Sequence, residues 1–386
     1  MRILLDYRPA LRQRTGVGEY VHQLARALVE ITELAGTEPI AVELFSSSWK
    51  DRPDPAAVAG LRVARVVDRR VPVRALNWAW HRLRWPSAER LAGREYEVVH
   101  SPHPLLLPSR HAARVITIHD LYFLQHPERT RDEVRRDYPA FVQRDAHDAD
   151  AVIVPSAHVG RLAVDLLQLD PARVAVCPQG KPEWERDAGS LPGNPHGRYL
   201  LFLGTLEPRK NVQGLLDAYA ALVTRWPEAP PLVLAGRRTP DADRWLEASQ
   251  RPPLAGRVEY RGYVPDRERR ALYDGARLLV LPSFDEGFGL PVVEAMTLGI
   301  PVVASDRGAL PEVCGGAALL VDPDERGSIC GGIERVLREP GLAERLAERG
   351  MTRARDFSWR RTAELTLDAY RAAVARRASR APAWRS

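Results

Sequence analysis

Short β-branched runs alternate along this chain with stretches whose apolar residues recur every three or four positions. That alternation predicts parallel sheets with helices on both faces. In the first half the predicted strands fall at 3–5, 40–45, 61–67, 98–100, 115–119, 151–155 and 174–177. Between the first two, Val17, Val21, Leu24, Leu28 and Ile31 mark one face of a helix. The polar stretch 183–198, rich in Gly and Pro, reads as a linker. The strand pattern then restarts at 199–203 and continues through 231–235, 258–260, 278–281, 301–304 and 319–321. Helices at 325–338, 341–355 and 359–377 close the chain. The expectation is an α/β protein with two Rossmann-like, doubly wound domains, 1–182 and 199–356.

Composition changes this picture little. A chain of 386 residues with 45% hydrophobic content has enough apolar matter for two cores. No apolar run approaches the roughly 18–20 residues of a membrane span. The start has only Ile3, Leu4 and Leu5 before Asp6, which does not read as a signal peptide. Cys177, Cys314 and Cys330 show no metal-binding spacing, and the expectation is a reducing, cytoplasmic setting.

The net charge is +6 and almost all the cationic charge is arginine, with lysine only at 50, 181 and 210. Basic and acidic residues interleave through most of the chain, which argues against a nucleic-acid partner. An anionic substrate or a lipid head group fits better. The stretch 76–85 interleaves Trp with Arg, which suits a membrane interface or a glycolipid. Its apolar positions fit more naturally a helix packed on the first core.

In doubly wound sheets ligands sit beyond the carboxyl ends of the strands, where loops lead into helices. Three such loops suit a phosphate. The first, Thr15-Gly16-Val17-Gly18, opens the first long helix, and its glycines admit close backbone approach. By itself it reads equally well as a tight turn. The second runs Gly204-Thr205-Leu206-Glu207-Pro208-Arg209-Lys210-Asn211. Pro208 suits a first helical turn, so Arg209 and Lys210 stand at a helix start, where cations oppose the dipole unless an anion lies between them. The third, Phe284-Asp285-Glu286-Gly287-Phe288-Gly289-Leu290-Pro291, leads into a helix carrying Glu294. Glu286 sits in the loop and Glu294 about one turn into the helix, so the two carboxylates could read hydroxyls at different ends of one ligand.

The run EGFGLPVVEA resembles the E-x7-E motif of the retaining GT-B glycosyltransferases of family four, and GTLEPRKN is similar to that family's diphosphate loop. The resemblance extends through TGVGEY, VHSPH, TIHDL, AVIVPSAHVGRLAV, RGYVPDRERRALYDGA and SDRGALPEV, in the family's order.

It implies two domains facing across a cleft, the first binding the acceptor and the second the nucleotide sugar, with a terminal helix, 357–378, returning to the first. It further implies that Arg209 and Lys210 bind the donor diphosphate and that the N–H of Gly16 touches the distal phosphate. Glu294 would hold the ribose, Glu286 the transferred sugar and His119 the same sugar from the first domain. Tyr263 and Val264 would lie near the base. Gly204, Arg237, Gly287, Phe288, Gly289 and Leu290 complete the expected donor contacts. His119 on its apolar strand also reads as a core histidine.

The resemblance implies no bound metal and no cofactor beyond the nucleotide-sugar donor. The strings Asp148-Ala-Asp150 and Asp241-Ala-Asp243 do not lie in loops leaving strands. The acceptor would be a saccharide or lipid-linked saccharide. Similarity of GTLEPRKN to mannosyl- and rhamnosyltransferases slightly favours those sugars. A GT-B-fold epimerase and a non-catalytic sugar-nucleotide-binding scaffold are the alternatives. Oligomeric state is not legible.

Overall fold

The computed structural model describes residues 1–11, 16–35, 40–127, 137–184 and 194–380. The chain forms two compact units, 1–180 with 358–386, and 181–357.

The first unit is built on a seven-stranded parallel sheet of β1 (Arg2–Asp6), β2 (Ala41–Ser47), β3 (Arg65–Arg69), β4 (Val98–Ser101), β5 (Ala113–Thr117), β6 (Ala151–Val154) and β7 (Val174–Val176). Their order is β3-β2-β1-β4-β5-β6-β7. The second is a six-stranded parallel sheet of β8 (Tyr199–Leu203), β9 (Leu232–Ala235), β10 (Val258–Tyr260), β11 (Ala276–Leu281), β12 (Val302–Ser305) and β13 (Leu319–Val321), ordered β10-β9-β8-β11-β12-β13. Central strands such as β6, β9 and β11 are apolar on both faces because helices cover both, so they read as hydrophobic runs. Each sheet reverses its winding beside its first strand, between β1 and β4 and between β8 and β11. Those two points are where loops part to leave room for a ligand.

Two boundaries depart from the sequence expectation. The predicted strand at 61–67 begins late: Leu61 is buried in a turn after the Pro55–Ala59 helix, its N–H donating to the Val58 carbonyl. The strand itself runs on into polar Asp68 and Arg69, which an edge position tolerates. His119 lies two residues beyond the end of β5, in a loop and not on the strand.

The long helix Trp359–Arg380 belongs to the first unit. Trp359, Ala363, Leu367, Tyr370 and Ala373, at three- and four-residue steps, sink into the same core as Tyr20, Leu24 and Leu28. It is anchored by polar contacts too. Thr362 Oγ1 donates to the Pro178 carbonyl at 2.6 Å, and Arg376 donates to the carbonyls of Asp150 and Ala172. Gly180 allows this docking: a Cβ there would stand 2.3 Å from the Trp359 nitrogen. Deeper in the core, His100 bridges Tyr370 Oη at 2.7 Å and Thr117 Oγ1 at 2.8 Å, and Tyr20 Oη lies 3.3 Å from the same threonine. A buried chain of hydroxyls around one imidazole thus ties the last helix to β4 and β5.

Burial holds the His100 imidazole down to about 3 and that of His119 down to about 4. Both are neutral in the fold, whereas the unfolded chain takes up those protons below about pH 6.5. Stability is therefore full above pH 6.5 and is lost as pH falls toward 4, at up to about 1.4 kcal/mol per pH unit per histidine. Urea unfolding followed at pH 7.5, 6 and 5 is expected to show this decline, with a shallower slope for His100→Asn. Equal slopes in the two proteins would show that His100 is not held neutral.

Candidate functional site

Two loops of the second unit leave the adjacent strands β8 and β11. After β8, Gly204 donates its N–H to the Ala235 carbonyl at 2.9 Å and the chain turns into a short 3-10 helix, Pro208–Lys210. Asn211 follows in the left-handed region at φ 55°, and its side chain caps the helix Val212–Arg225 through Gly214 N–H. Arg209 and Lys210 thus sit immediately before a capped helix, on a turn rigidified by Pro208 at one end and Asn211 at the other. The turn also meets the second loop, because Phe284 N–H donates to the Arg209 carbonyl at 2.9 Å.

That second loop carries Glu286, which is only 5% exposed. Lys210 Nζ donates to its Oε1 at 2.5 Å, Ser283 Oγ donates to the same oxygen at 2.8 Å, and Arg209 Nη1 lies 3.5 Å from Oε2. Arg209 also donates to the Asp285 carbonyl at 3.2 Å and to Glu207 at 3.0 Å. Burial alone would raise the Glu286 carboxyl, but the charges of Lys210 and Arg209 outweigh it and hold it below the usual range. The sequence expectation placed Glu286 and Lys210 as donor-binding residues in a cleft, and the structure adds a contact between them. They form a buried ion pair that fixes the ammonium in one place.

Glu294 lies in the second turn of the helix Leu290–Thr297 and is likewise buried. Arg269 Nη1 donates to it at 2.6 Å and Tyr273 Oη at 2.7 Å. Both partners were missed from sequence, although Arg269 and Tyr273 are four residues apart in the Asp266–Asp274 helix and so share a face. Gly289, at φ 95°, precedes that Leu290–Thr297 helix, and a Cβ there would stand 2.6 Å from Leu310. Backbone conformation and packing both demand glycine. Gly308, also missed, lets the loop after β12 press on the acidic loop, where a Cβ would stand 2.6 Å from Asp285 Oδ1. Ala309 N–H donates to the Glu286 carbonyl from the same side.

Phe288, another of the expected donor contacts, turns its ring inward. Its side chain is buried edge-on against Phe357, with ring centroids 5.5 Å apart, and belongs to the core. Gly287 and Leu290 flank it in the same loop and helix start. The loop after β9 is held against the first loop: Leu206 N–H donates to the Arg237 carbonyl, and a Cβ at Gly236 would collide with the Gly204 carbonyl. Arg237 itself is exposed beside this junction. Gly236 N–H in turn donates to Gly262, which brings half-buried Tyr263 and Val264 to the same edge of the sheet.

In the first unit, Gly16 stands at φ 45° just ahead of the helix Val17–Ala35, with open space around it. Thr15, the other half of that turn, lies outside the described residues. Gly18 answers to packing, since a Cβ there would stand 2.8 Å from the Pro9 carbonyl. His119 donates Nε2–H to the Pro102 carbonyl at 3.0 Å, which leaves Nδ1 as an acceptor on a neutral ring. Its ring meets Tyr20 edge-on at 4.8 Å.

Sequence reading also missed a charged knot at the end of β1. Asp6 is fully buried, accepts two bonds from Arg8 at 2.8 and 2.7 Å, and lies 3.3 Å from His103 Nε2. Burial opposes its charge, yet Arg8 and His103 hold the carboxyl far below its ordinary range. The signal was present, since Asp6 is the first polar residue after an apolar strand.

The two DxD strings serve structure: Asp148 pairs with Arg84, Asp150 accepts from the Arg114 N–H, and Asp243 pairs with Arg238. Among the described residues no three His, Cys, Asp or Glu side chains gather as a metal site.

Two family descriptions match the chain: "Glycosyltransferase Family 4" over residues 14–181 and "Glycosyl transferases group 1" over 185–353. O-antigen chain mannosyltransferase B of Escherichia coli is 31% identical over 96% of this chain and 100% of its own length. A D-inositol 3-phosphate glycosyltransferase of a Nocardioides species is 27% identical over 90% of this chain and 84% of its own. Among solved structures, sucrose-phosphate synthase of Thermosynechococcus elongatus superposes with a TM-score of 0.73 at 22% identity, over 96% of this chain and 98% of that one. HepE of Anabaena in complex with UDP-glucose gives 0.66 at 18% identity, over 95% and 98%.

The Lys210–Glu286 pair makes a stability prediction. Lys210→Met leaves a buried carboxylate with one fewer donor and is expected to cost about 1–3 kcal/mol. Adding Glu286→Gln is expected to restore much of that loss, giving a clear coupling energy in urea unfolding. Strict additivity of the two changes would mean the pair is not formed in solution.

Proposed function

The chain belongs to the group 1 glycosyltransferases of family four, and from that premise we propose that it is a retaining hexosyltransferase drawing on a nucleoside-diphosphate sugar. The acceptor is a hydroxyl of a saccharide or lipid-linked saccharide. Mannose or rhamnose is the favoured sugar, a choice supported by the full-length similarity to an O-antigen mannosyltransferase. The three cysteines, all buried and unbridged, accord with a cytosolic setting.

The observation that carries this reading is the buried Lys210–Arg209–Glu286 cluster between the ends of β8 and β11. An ammonium and a guanidinium fixed before the reaction stabilise charge that grows on the departing diphosphate, without reorganising as it forms. In this reading these two side chains supply the positive charge and no metal is called for. The start of the Leu290–Thr297 helix adds backbone N–H groups that have no partner within the helix itself.

The Glu286 carboxylate serves two partners, holding Lys210 along one edge and binding hydroxyls of the transferred sugar along the other. Glu294, already oriented by Arg269 and Tyr273, accepts the ribose hydroxyls. His119 is neutral, with Nδ1 as an acceptor. No enzyme nucleophile is assigned. The departing phosphate oxygen takes the acceptor's proton, so Glu286 acts by position and charge.

The test is a thermal-shift panel of GDP, UDP, dTDP and ADP, followed by transfer or slow hydrolysis of the matching sugar nucleotide. One nucleotide at 100 times its Kd should stabilise the native protein by about 2.7 kcal/mol. Lys210→Ala is expected to remove most of that shift. Glu286→Gln is expected to retain nucleotide binding while turnover falls at least about a hundredfold, the usual scale for losing a preorganised charge. No shift with any nucleotide, or near-native turnover in either variant, would end this reading. A changed but unreleased sugar would indicate an epimerase instead.

A further inference from the structure

The interleaving of charge expected from the sequence fails over one segment. Residues 49–90 hold ten Lys and Arg against four Asp and Glu, a net of +6. The whole chain also carries +6, so the sequence outside this segment balances to zero. In the fold Arg65, Arg82 and Arg84 draw on Glu43, Asp137, Asp145 and Asp148 outside it, while Arg70 and Arg74 stand exposed.

The same segment concentrates exposed apolar side chains. Trp49 is 73% exposed, Trp78 60% and Trp85 50%, with Val73 and Leu83 beside them in sequence. The fold brings these positions to the β3 edge of the first sheet. Trp49 follows β2, Arg70 follows β3, and together with Arg52 they line one shallow hollow. The helix Val73–Leu83 begins three residues after Arg70. It buries Leu76 and Trp80 against Phe45, Val67 and Tyr96. On its other face, at four-residue steps, stand exposed Arg74, Trp78 and Arg82. Arg90 lies over the ring of exposed Trp85, 5.4 Å from its centroid.

Core packing accounts for Leu76 and Trp80 and leaves Trp78 and Trp85 without a part in the core. Indoles between arginines on a helix lying along a surface have the chemistry of the bilayer interface, where the ring sits among head groups and guanidinium pairs with phosphate. We propose that this face docks on an anionic phospholipid surface, with Trp49, Trp78 and Trp85 in the head-group layer and Arg70 and Arg74 on the phosphates. The charge selects this occupant: a second copy of the chain would set like charge against like, whereas an acidic membrane gains from each cation. No helix among the described residues is long and apolar enough to cross a bilayer, so the contact is peripheral. The proposal does not rest on the glycosyltransferase reading, because docking needs no donor.

Flotation of the full-length protein with vesicles tests it directly. Binding to phosphatidylcholine vesicles containing about 30 mol% phosphatidylglycerol should exceed binding to pure phosphatidylcholine at least tenfold, and should weaken at about 0.5 M salt. A blue shift of tryptophan emission should accompany it. Trp78→Ala/Trp85→Ala and, separately, Arg70→Glu/Arg74→Glu should each lower binding at least tenfold, with melting temperature and nucleotide binding unchanged, since all four side chains are exposed. Absence of binding to the anionic vesicles, equal binding to both lipids, or variants that float like the parent would overturn the proposal. So would a dimer that Trp78→Ala dissociates without changing flotation, an outcome that assigns the face to a second copy.

Discussion

A carboxylate buried next to a lysine organises the second unit. Glu286 sits in the loop after β11 with 5% of its surface exposed, where an uncompensated charge would be strongly unfavourable. Lys210, Arg209 and Ser283 offset that cost together, and they reach it only because β8 and β11 lie side by side. The parallel register sets Leu201 opposite Leu279, so the loops leaving these two strands emerge at the same height. The ion pair constrains chemistry as well as folding. An ammonium held in place by a buried partner has already lost its freedom, so an anion that bound it would not have to restrict it again.

Glycines and prolines made much of this legible in the sequence, because they encode backbone shape directly. Pro208 and the glycine at 289 mark real helix starts, and the apolar runs of both sheets reflect strands covered on two sides. Side-chain direction was less legible. Phe288 lies between two glycines of the loop after β11 yet points into the core against Phe357, and no local pattern reports which way an aromatic in a loop will turn. Arg269 and Tyr273 had the four-residue spacing of a shared face, but their partner Glu294 lies on another helix, 21 to 25 residues further along. Pairings of that kind depend on how helices stack on the sheet, which composition and periodicity do not specify.

The first unit repeats the arrangement with different chemistry. Asp6, at the end of β1, is a second buried carboxylate at a point where the winding reverses, and it is compensated by Arg8 and His103. Beside it the neutral His100 ties Tyr370 of the last helix to Thr117. The core of this unit is therefore closed by a segment some 180 residues away from the rest of it in sequence. A helix so distant can dock uniquely only if its contacts are specific. The buried hydroxyl–imidazole chain and the close approach at Gly180 supply that specificity, where apolar burial alone would tolerate a shift by one turn.

Charge distribution separates two kinds of cation in this protein. Arg8, Arg209, Arg269 and Lys210 are mostly buried, each beside a carboxylate, and so add nothing to the field outside. The net positive charge resides in residues 49–90, where Arg70, Arg74 and Arg82 stand exposed on an edge strand's flank and a single short helix. A field from that one region reaches about 8–10 Å at physiological salt, enough to attract an extended acidic surface but not to alter the compensated pairs elsewhere. Internal pairing thus fixes loop geometry whatever the protein approaches, and exposed cations such as Arg70 and Arg74 select what it approaches. Because the two sets share no residue, a substitution at Trp78 or Arg74 acts on the second property and leaves the first intact.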